Sequence, residues 1–186
     1  MKLDVLIGAL VSFGILAVVF IPLERTWAAR RQGVVRPGLL TDVLFFFGQH
    51  LLFSGLALAA LSAVDGGLAR VLPAAPRQAF GALPFAAQAV AAVLLGDLCL
   101  YGWHRACHTV PLLWRFHAVH HTAPALDWVA AQREHPLDGL TTQLAVNAPA
   151  MLLGFSMESL AFLAVFRGLW GIVIHSNVRL PLGPLR

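Results

Sequence analysis

Apolar positions in this chain run in long uninterrupted blocks, without the alternation of a half-buried strand or the narrow stripe of a soluble helix. Residues 5–23 carry no charge, residues 43–64 hold only His50 among titratable groups, and residues 78–101 are uncharged until Asp97. A helix needs about 20 apolar residues to cross a hydrocarbon core of about 30 Å, so these blocks predict three membrane spans. The first is too long for a signal-peptide core, and no small-residue cleavage site follows Pro22, so it is expected to stay in the mature protein. Two further blocks, 139–157 with Pro149 inside it and 159–174 with Arg167 inside it, predict a C-terminal membrane hairpin. Glu158 would mark its turn, and Arg167 would snorkel from a shallow second arm. The stretch 65–77, with its Asp-Gly-Gly run and two prolines, predicts the turn-rich connection between spans two and three. The expected fold is all-α: a polytopic membrane helical bundle forming one domain over residues 1–186, with a histidine-rich region at 97–138.

Composition agrees with a lipid solvent. The chain is 59% hydrophobic and 12% charged, where soluble proteins carry about a quarter charged residues. Disordered, collagenous and low-complexity classes are excluded by the same figures, and no repeat period is visible. Two cysteines, Cys99 and Cys107, cannot build a disulfide framework and have no CxxC partner, so both are expected reduced. The formal charge is +4, but no basic run interleaved with aromatics points to nucleic acid. The bases instead predict orientation, because cytoplasmic loops carry the Arg and Lys excess. Arg25, Arg30, Arg31 and Arg36 fall between spans one and two, and alternation puts Arg105, Arg115, Arg133, Arg179 and Arg186 on the same side. Only Lys2, Arg70 and Arg77 fall on the other.

Seven of the eight histidines lie between His104 and His175, all near span ends predicted to be cytoplasmic. His104 and His108, in YGWHRACH, stand four apart on a continuation of the third span, so their rings share one helix face about 6 Å apart along the axis. His117, His120 and His121, in LWRFHAVHH, have i, i+3 and i+4 spacing and predict a second short helix. His135 in REHPLD and His175 in IVIHSNV complete the set. A lone histidine in a span more often packs or caps than binds, and His50 is given no role. Two boxes of this kind on one membrane face predict metal binding, and their convergence in space is expected. Neutral imidazole suits Zn, Cu, Ni and Fe alike. A structural zinc site needs four ligands and usually recruits Cys, whereas an excess of imidazole points to two metals. Asp97 and Tyr101, each seven residues before a ligand of the first box, are expected on the ligand face as outer partners, and Asp97 is expected to find a His or Arg partner.

The runs DLCLYGWHRACH, LWRFHAVHH, REHPLD and IHSN together resemble the fatty acid hydroxylase / sterol desaturase superfamily of membrane non-haem di-iron proteins, from about Leu94 onward. His104 and His108 match its first box, and His117, His120 and His121 its second. His135 and His175 match further histidine positions, and Asp97 and Tyr101 match the acidic and aromatic positions before the first box. The resemblance implies two iron ions, with zinc as a possible substitute, no catalytic side chains beyond the metal ligands, and O2-dependent hydroxylation or desaturation of a lipid. Sterols, fatty acyl or sphingoid chains, glyceryl ethers and carotenoids are candidate substrates. Electrons would come from outside, from a cytochrome b5-like carrier or a ferredoxin and its reductase. The family's third box, another HxxHH, does not follow HSNVRLPLGPLR before Arg186, so the resemblance implies a metal site incomplete as written and a chain truncated before that box. The competing readings are a non-catalytic or degenerate membrane metal-binding or transport protein, and a metal-dependent hydrolase using Glu134 beside His135.

Overall fold

The computed structural model describes residues 3–179. They are all-α, with no strand among them beyond one isolated bridge between Ala28 and Val178. Helix α1 spans Leu3–Thr26, and α2 (Leu39–Gly48) runs through a π-helical turn (Gln49–Phe53) into α3 (Ser54–Val71). Then come α4 (Ala74–Gly81), α5 (Phe85–Thr109), α6 (Pro111–His117), α7 (Pro136–Leu152) and α8 (Met157–His175). Four helices are long and apolar enough to cross a membrane: α1, the continuous helix Leu39–Val71, α5 and α8. Large aliphatic side chains such as Leu10, Ile15, Val18, Leu94 and Val165 are exposed on them, as helices facing hydrocarbon require. The protein is an integral membrane protein.

Several boundaries differ from the hydropathy blocks, and proline accounts for most of them. The second helix does not stop before Asp65-Gly66-Gly67 but continues to Val71. It ends where Leu72, preceding Pro73, takes an extended conformation (φ −95°, ψ 145°), because proline's ring disfavours α geometry in the residue before it. Asp65, expected in a loop, instead pairs from α3 with Arg77 of α4 at 2.7 Å. The third span begins at Phe85 and not at residue 78, since Pro84 caps a separate helix from α4. At the C-terminal hairpin α7 has 17 residues and is not among the four long apolar helices. Its turn falls at Gly154 (φ +79°), and Glu158 lies in the first turn of α8. The second histidine box is not one helix: α6 stops at His117, and His120–Thr122 is a 3-10 turn closed by extended Ala123 before Pro124.

The packing falls into two units. The first comprises residues 3–52, 119–134 and 170–179. Its apolar core is aromatic: Phe46 and Trp128 are buried with Phe20, Val129 and Ile172, and Phe13 packs edge-on to Phe46 at 5.1 Å. Above that core lies a buried cluster of four charges. Arg36 Nε donates to Asp127 at 2.6 Å, Arg36 also reaches Asp42 at 2.8 Å, and Arg133 Nε donates to the other Asp42 oxygen at 2.6 Å. Burial works to lower the Arg36 pKa, but hydrogen bonds and charge interactions with Asp127 and Asp42 outweigh it and hold the guanidinium above its ordinary value. Arg133 also donates to the carbonyls of Thr122 and Gly38. Gly38 must be glycine, with φ +83° and a would-be Cβ 2.9 Å from the Arg133 guanidinium. Nearby, Glu24 accepts the backbone N–H groups of Trp128 and Asn177 at 2.7 and 2.9 Å.

The second unit comprises residues 53–118 and 135–169. Ala92 of α5, Val146, Ala150 and Met151 of α7, and Leu160 and Leu163 of α8 form its core. Gly96 lets Leu163 approach α5, since a Cβ there would stand 3.1 Å from the leucine methyl. One turn beyond this contact Asp97 pairs with Arg167 of α8 at 2.8 Å. Buried Gln88 donates to the carbonyls of Gly81 and Leu83 and accepts from the Ser156 N–H, tying two turns to the start of α5.

Two substitutions separate the units. Replacing Asp42 with Ala strands two buried guanidiniums on one carboxylate, and is expected to cost the first unit about 3–5 kcal/mol. Gly154→Ala puts a Cβ 2.5 Å from the Arg77 carbonyl at positive φ, and is expected to cost the second unit at least about 1–2 kcal/mol. Thermal unfolding in detergent, read with protease nicking at 119–134 against 153–156, should show each loss in its own unit.

Candidate metal centre

In the second unit the metal-ligating chemistry is built by a reversal of the chain. Helix α5 carries His104 and His108 on its last turns, and their Nε2 atoms lie 3.1 Å apart. Extended Val110 (φ −94°, ψ 115°) before Pro111 ends α5 and starts α6. Helix α6 returns His117, its last residue, to ring-centroid distances of 4.6 and 4.9 Å from His104 and His108. One donor atom from each ring falls within 4.8 Å of the others. His117 is buried, and its Nδ1 donates to Asp138 Oδ2 at 2.8 Å. The other Asp138 oxygen lies 3.9 Å from the buried Cys107 sulfur. A carboxylate only accepts, so His117 carries a proton on Nδ1 and turns Nε2 toward His104 and His108 as the ring's other nitrogen.

The first unit holds the second set. His120, on the 3-10 turn, donates Nδ1–H to the Arg133 carbonyl at 3.0 Å, and His175 at the end of α8 donates Nδ1–H to the Gly171 carbonyl at 2.7 Å. Their Nε2 atoms then face each other at 2.9 Å. His121 lies beside them, its ring 5.3 Å from that of His120. With both Nδ1 protons committed to carbonyls, the two Nε2 atoms are left facing each other, close enough to share a proton or to hold one cation between them. Two nitrogens bound at right angles to one ion, with bonds of about 2.1 Å, would stand about 3 Å apart. Both imidazole pairs have that separation, and the donor set fits a first-row transition metal.

The remaining sequence candidates have other partners. His135 accepts the Leu137 N–H on Nδ1 at 3.1 Å, capping α7, and its ring lies tilted against Phe116 at 5.0 Å. Asp97 has the Arg partner expected of it, Arg167, and not an imidazole. Tyr101 is exposed and accepts from Arg105 at 3.4 Å. The carboxylate that bonds an imidazole of the cluster is Asp138, to which spacing assigned no role. REHPLD marks Asp138 only as an acid in the first turn of a helix, where the helix dipole favours it; its partner is set by the return of the chain. His50, in the π-helical turn, bonds the Phe46 carbonyl and stacks on its ring at 4.2 Å, a packing role.

Comparison with known proteins supports the same region. The chain is 32% identical over 102 residues to the ornithine lipid hydroxylase of Rhizobium tropici, covering 55% of this chain and 31% of that protein. It is 30% identical over 95 residues to a Delta(7)-sterol 5(6)-desaturase of Gibberella zeae, covering 50% of this chain and 27% of that one. The matched stretch therefore spans less than a third of either relative. No solved structure matches the chain. The family model for fatty acid hydroxylase matches residues 89–186, a stretch that holds all seven clustered histidines, and the chain belongs to that family.

Proposed function

We propose that this protein is a membrane oxygenase that hydroxylates or desaturates a lipid, using O2 and external electrons. The observation that carries the reading is the imidazole chemistry: His117, His120 and His175 have their Nδ1 protons committed to fixed acceptors, and the Nε2 atoms of two pairs stand about 3 Å apart. Two iron ions are the proposed cofactor, with zinc as a substitute that would bind without redox activity. His104, His108 and His117 would be ligands from the second unit, and His120, His121 and His175 from the first. Iron supplies the oxidant that an unactivated C–H bond requires.

The chain's own residues have narrower tasks. Asp138 holds the His117 tautomer and raises its basicity as a ligand. The Arg133 carbonyl does the same for His120, and the Arg133 guanidinium keeps that carbonyl in place through Asp42. The exposed apolar flanks of α1, α5 and α8 let a lipid reach the protein from within the bilayer. In the first unit the loop bearing Arg30, Arg31 and Arg36 packs against the segment that carries His120. The Arg excess assigns that end to the cytoplasm, where a cytochrome b5-like donor or a ferredoxin and reductase could reach it. The acyl-lipid and sterol relatives support a lipid substrate of either shape. A transporter would need ionisable ligands near mid-membrane, and the histidines lie instead at helix ends.

The test is iron per chain and O2-dependent product for the full-length protein in detergent. His117→Ala and His175→Ala are each expected to lose at least half of the bound iron and all turnover, with the helical content unchanged. Asp138→Asn is expected to weaken metal binding by about 10–100-fold. Unaltered iron content in all three variants would overturn the ligand assignment.

A further inference from the structure

The first unit contains a cavity of about 230 Å³ that the metal chemistry does not use. Phe13, Ala17 and Ile21 line it from successive turns of α1, and Leu39 and Val43 line it from α2. Its wall changes character along α1. From Phe13 to Arg25 the helix rises about 18 Å, from wholly apolar side chains at one end to Glu24, Arg25 and Gln32 at the other. That gradient has the length and polarity of one leaflet of a bilayer, from hydrocarbon to headgroup.

Charge at the mouth decides which headgroup suits it. Glu24 is turned into the fold, accepting the N–H groups of Trp128 and Asn177. Arg25, Arg30 and Arg31 are all exposed and have no carboxylate partner among the described residues. Among the described residues Arg25 makes a long contact, 3.5 Å, to the Gln32 carbonyl. Volume decides how much of the ligand enters. The cavity is below the roughly 300–1,000 Å³ that encloses a whole drug-sized ligand, too small for a fused ring system but long enough for one alkyl chain.

We infer that this cavity binds one acyl chain of an anionic phospholipid, with its phosphate at Arg25 and its second chain left in the bilayer. The site is distinct from the imidazoles and does not depend on the iron reading. Basic pockets between membrane helices are general sites for anionic lipid. The back wall here is Trp128 and Val129, from the same segment as Asp127 and Arg133, so an occupied cavity would brace the charge cluster from its apolar side.

The experiment titrates the full-length protein in neutral detergent with phosphatidylglycerol or phosphatidylcholine of equal chain length, counting bound lipid by native mass spectrometry. Phosphatidylglycerol is expected to bind more tightly by about fivefold or more, the effect of one basic side chain near a lipid surface. Arg25→Gln should bring the two lipids to parity. Ala17→Phe, which fills the cavity, should weaken both without changing their ratio. If Ala17→Phe does not fold, the exposed Arg25→Gln still decides. Equal affinity for the two lipids, an unchanged ratio in Arg25→Gln, or competition by chainless glycerophosphate as effective as by the lipid would each overturn the inference.

Discussion

Four buried charges organise the end of the first unit where its histidines lie. Arg36, Asp42, Asp127 and Arg133 sum to zero, each arginine reaches a carboxylate, and Asp42 is wholly buried between the two guanidiniums. Isolated, any of them would be costly to bury. Together they tie two stretches 91 residues apart in sequence: the start of α2 with the loop before it, and the segment 127–133. The apolar packing of that segment comes from Trp128, Val129 and two alanines, Ala130 and Ala131. Asp127 also accepts the N–H groups of Val129 and Ala130, nucleating the 3-10 turn whose end is Arg133. The Arg133 carbonyl then fixes His120. An ion-pair cluster thus positions the carbonyl that takes the His120 Nδ1 proton, a consequence that reaches from electrostatics through backbone placement to an imidazole.

Proline performs the complementary task of ending helices where histidines must turn. Val110, Ala123 and His135 each precede a proline and each is extended, as the steric conflict with the proline ring dictates. The first break folds His117 back onto His104 and His108. The second ends the 3-10 turn just past His121. The third starts α7 so that Asp138 falls in its first turn, within reach of His117. In a chain this apolar, helix would otherwise propagate through these segments, and the imidazoles would be spread along rods instead of gathered.

This division explains what could be read without coordinates. The long apolar helices were legible because hydropathy acts on each window separately, and so were the first histidine box and its helix, since i, i+4 spacing is local. The partnership of Asp97 with an arginine was legible from the cost of a carboxylate in a span, but its choice of Arg167 over an imidazole depends on Gly96 admitting Leu163 one turn away. The Asp-Gly-Gly run misled because turn composition yields to helix propagation when the next real stop, Leu72 before Pro73, is close by. The second box misled in the opposite direction, with perfect helical spacing in a segment that Pro124 keeps from being a helix. Asp138, and the Arg133 and Gly171 carbonyls, were not assigned at all: a carbonyl has no side-chain signature, and a carboxylate's partner is set by where the chain returns.

The tautomers are the last step of this logic. A histidine free in solution offers either nitrogen, and a site built from such rings would bind metal only after selecting one state at each ligand. Here the fold sets Nδ1 as the donor nitrogen of three rings. The acceptors are of different kinds: a carboxylate for His117, a loop carbonyl for His120, and for His175 the carbonyl one turn earlier on its own helix. Their rigidities differ accordingly. The His175 acceptor is part of a helix and moves only with it, and the Asp138 acceptor is buried against Cys107. The His120 acceptor rests on a loop whose position is as secure as the charge cluster beneath it. The cost of keeping four charges in an apolar protein is thereby tied to the placement of an imidazole: without them the Arg133 carbonyl would lose its support, and with it the ring of His120 that faces His175.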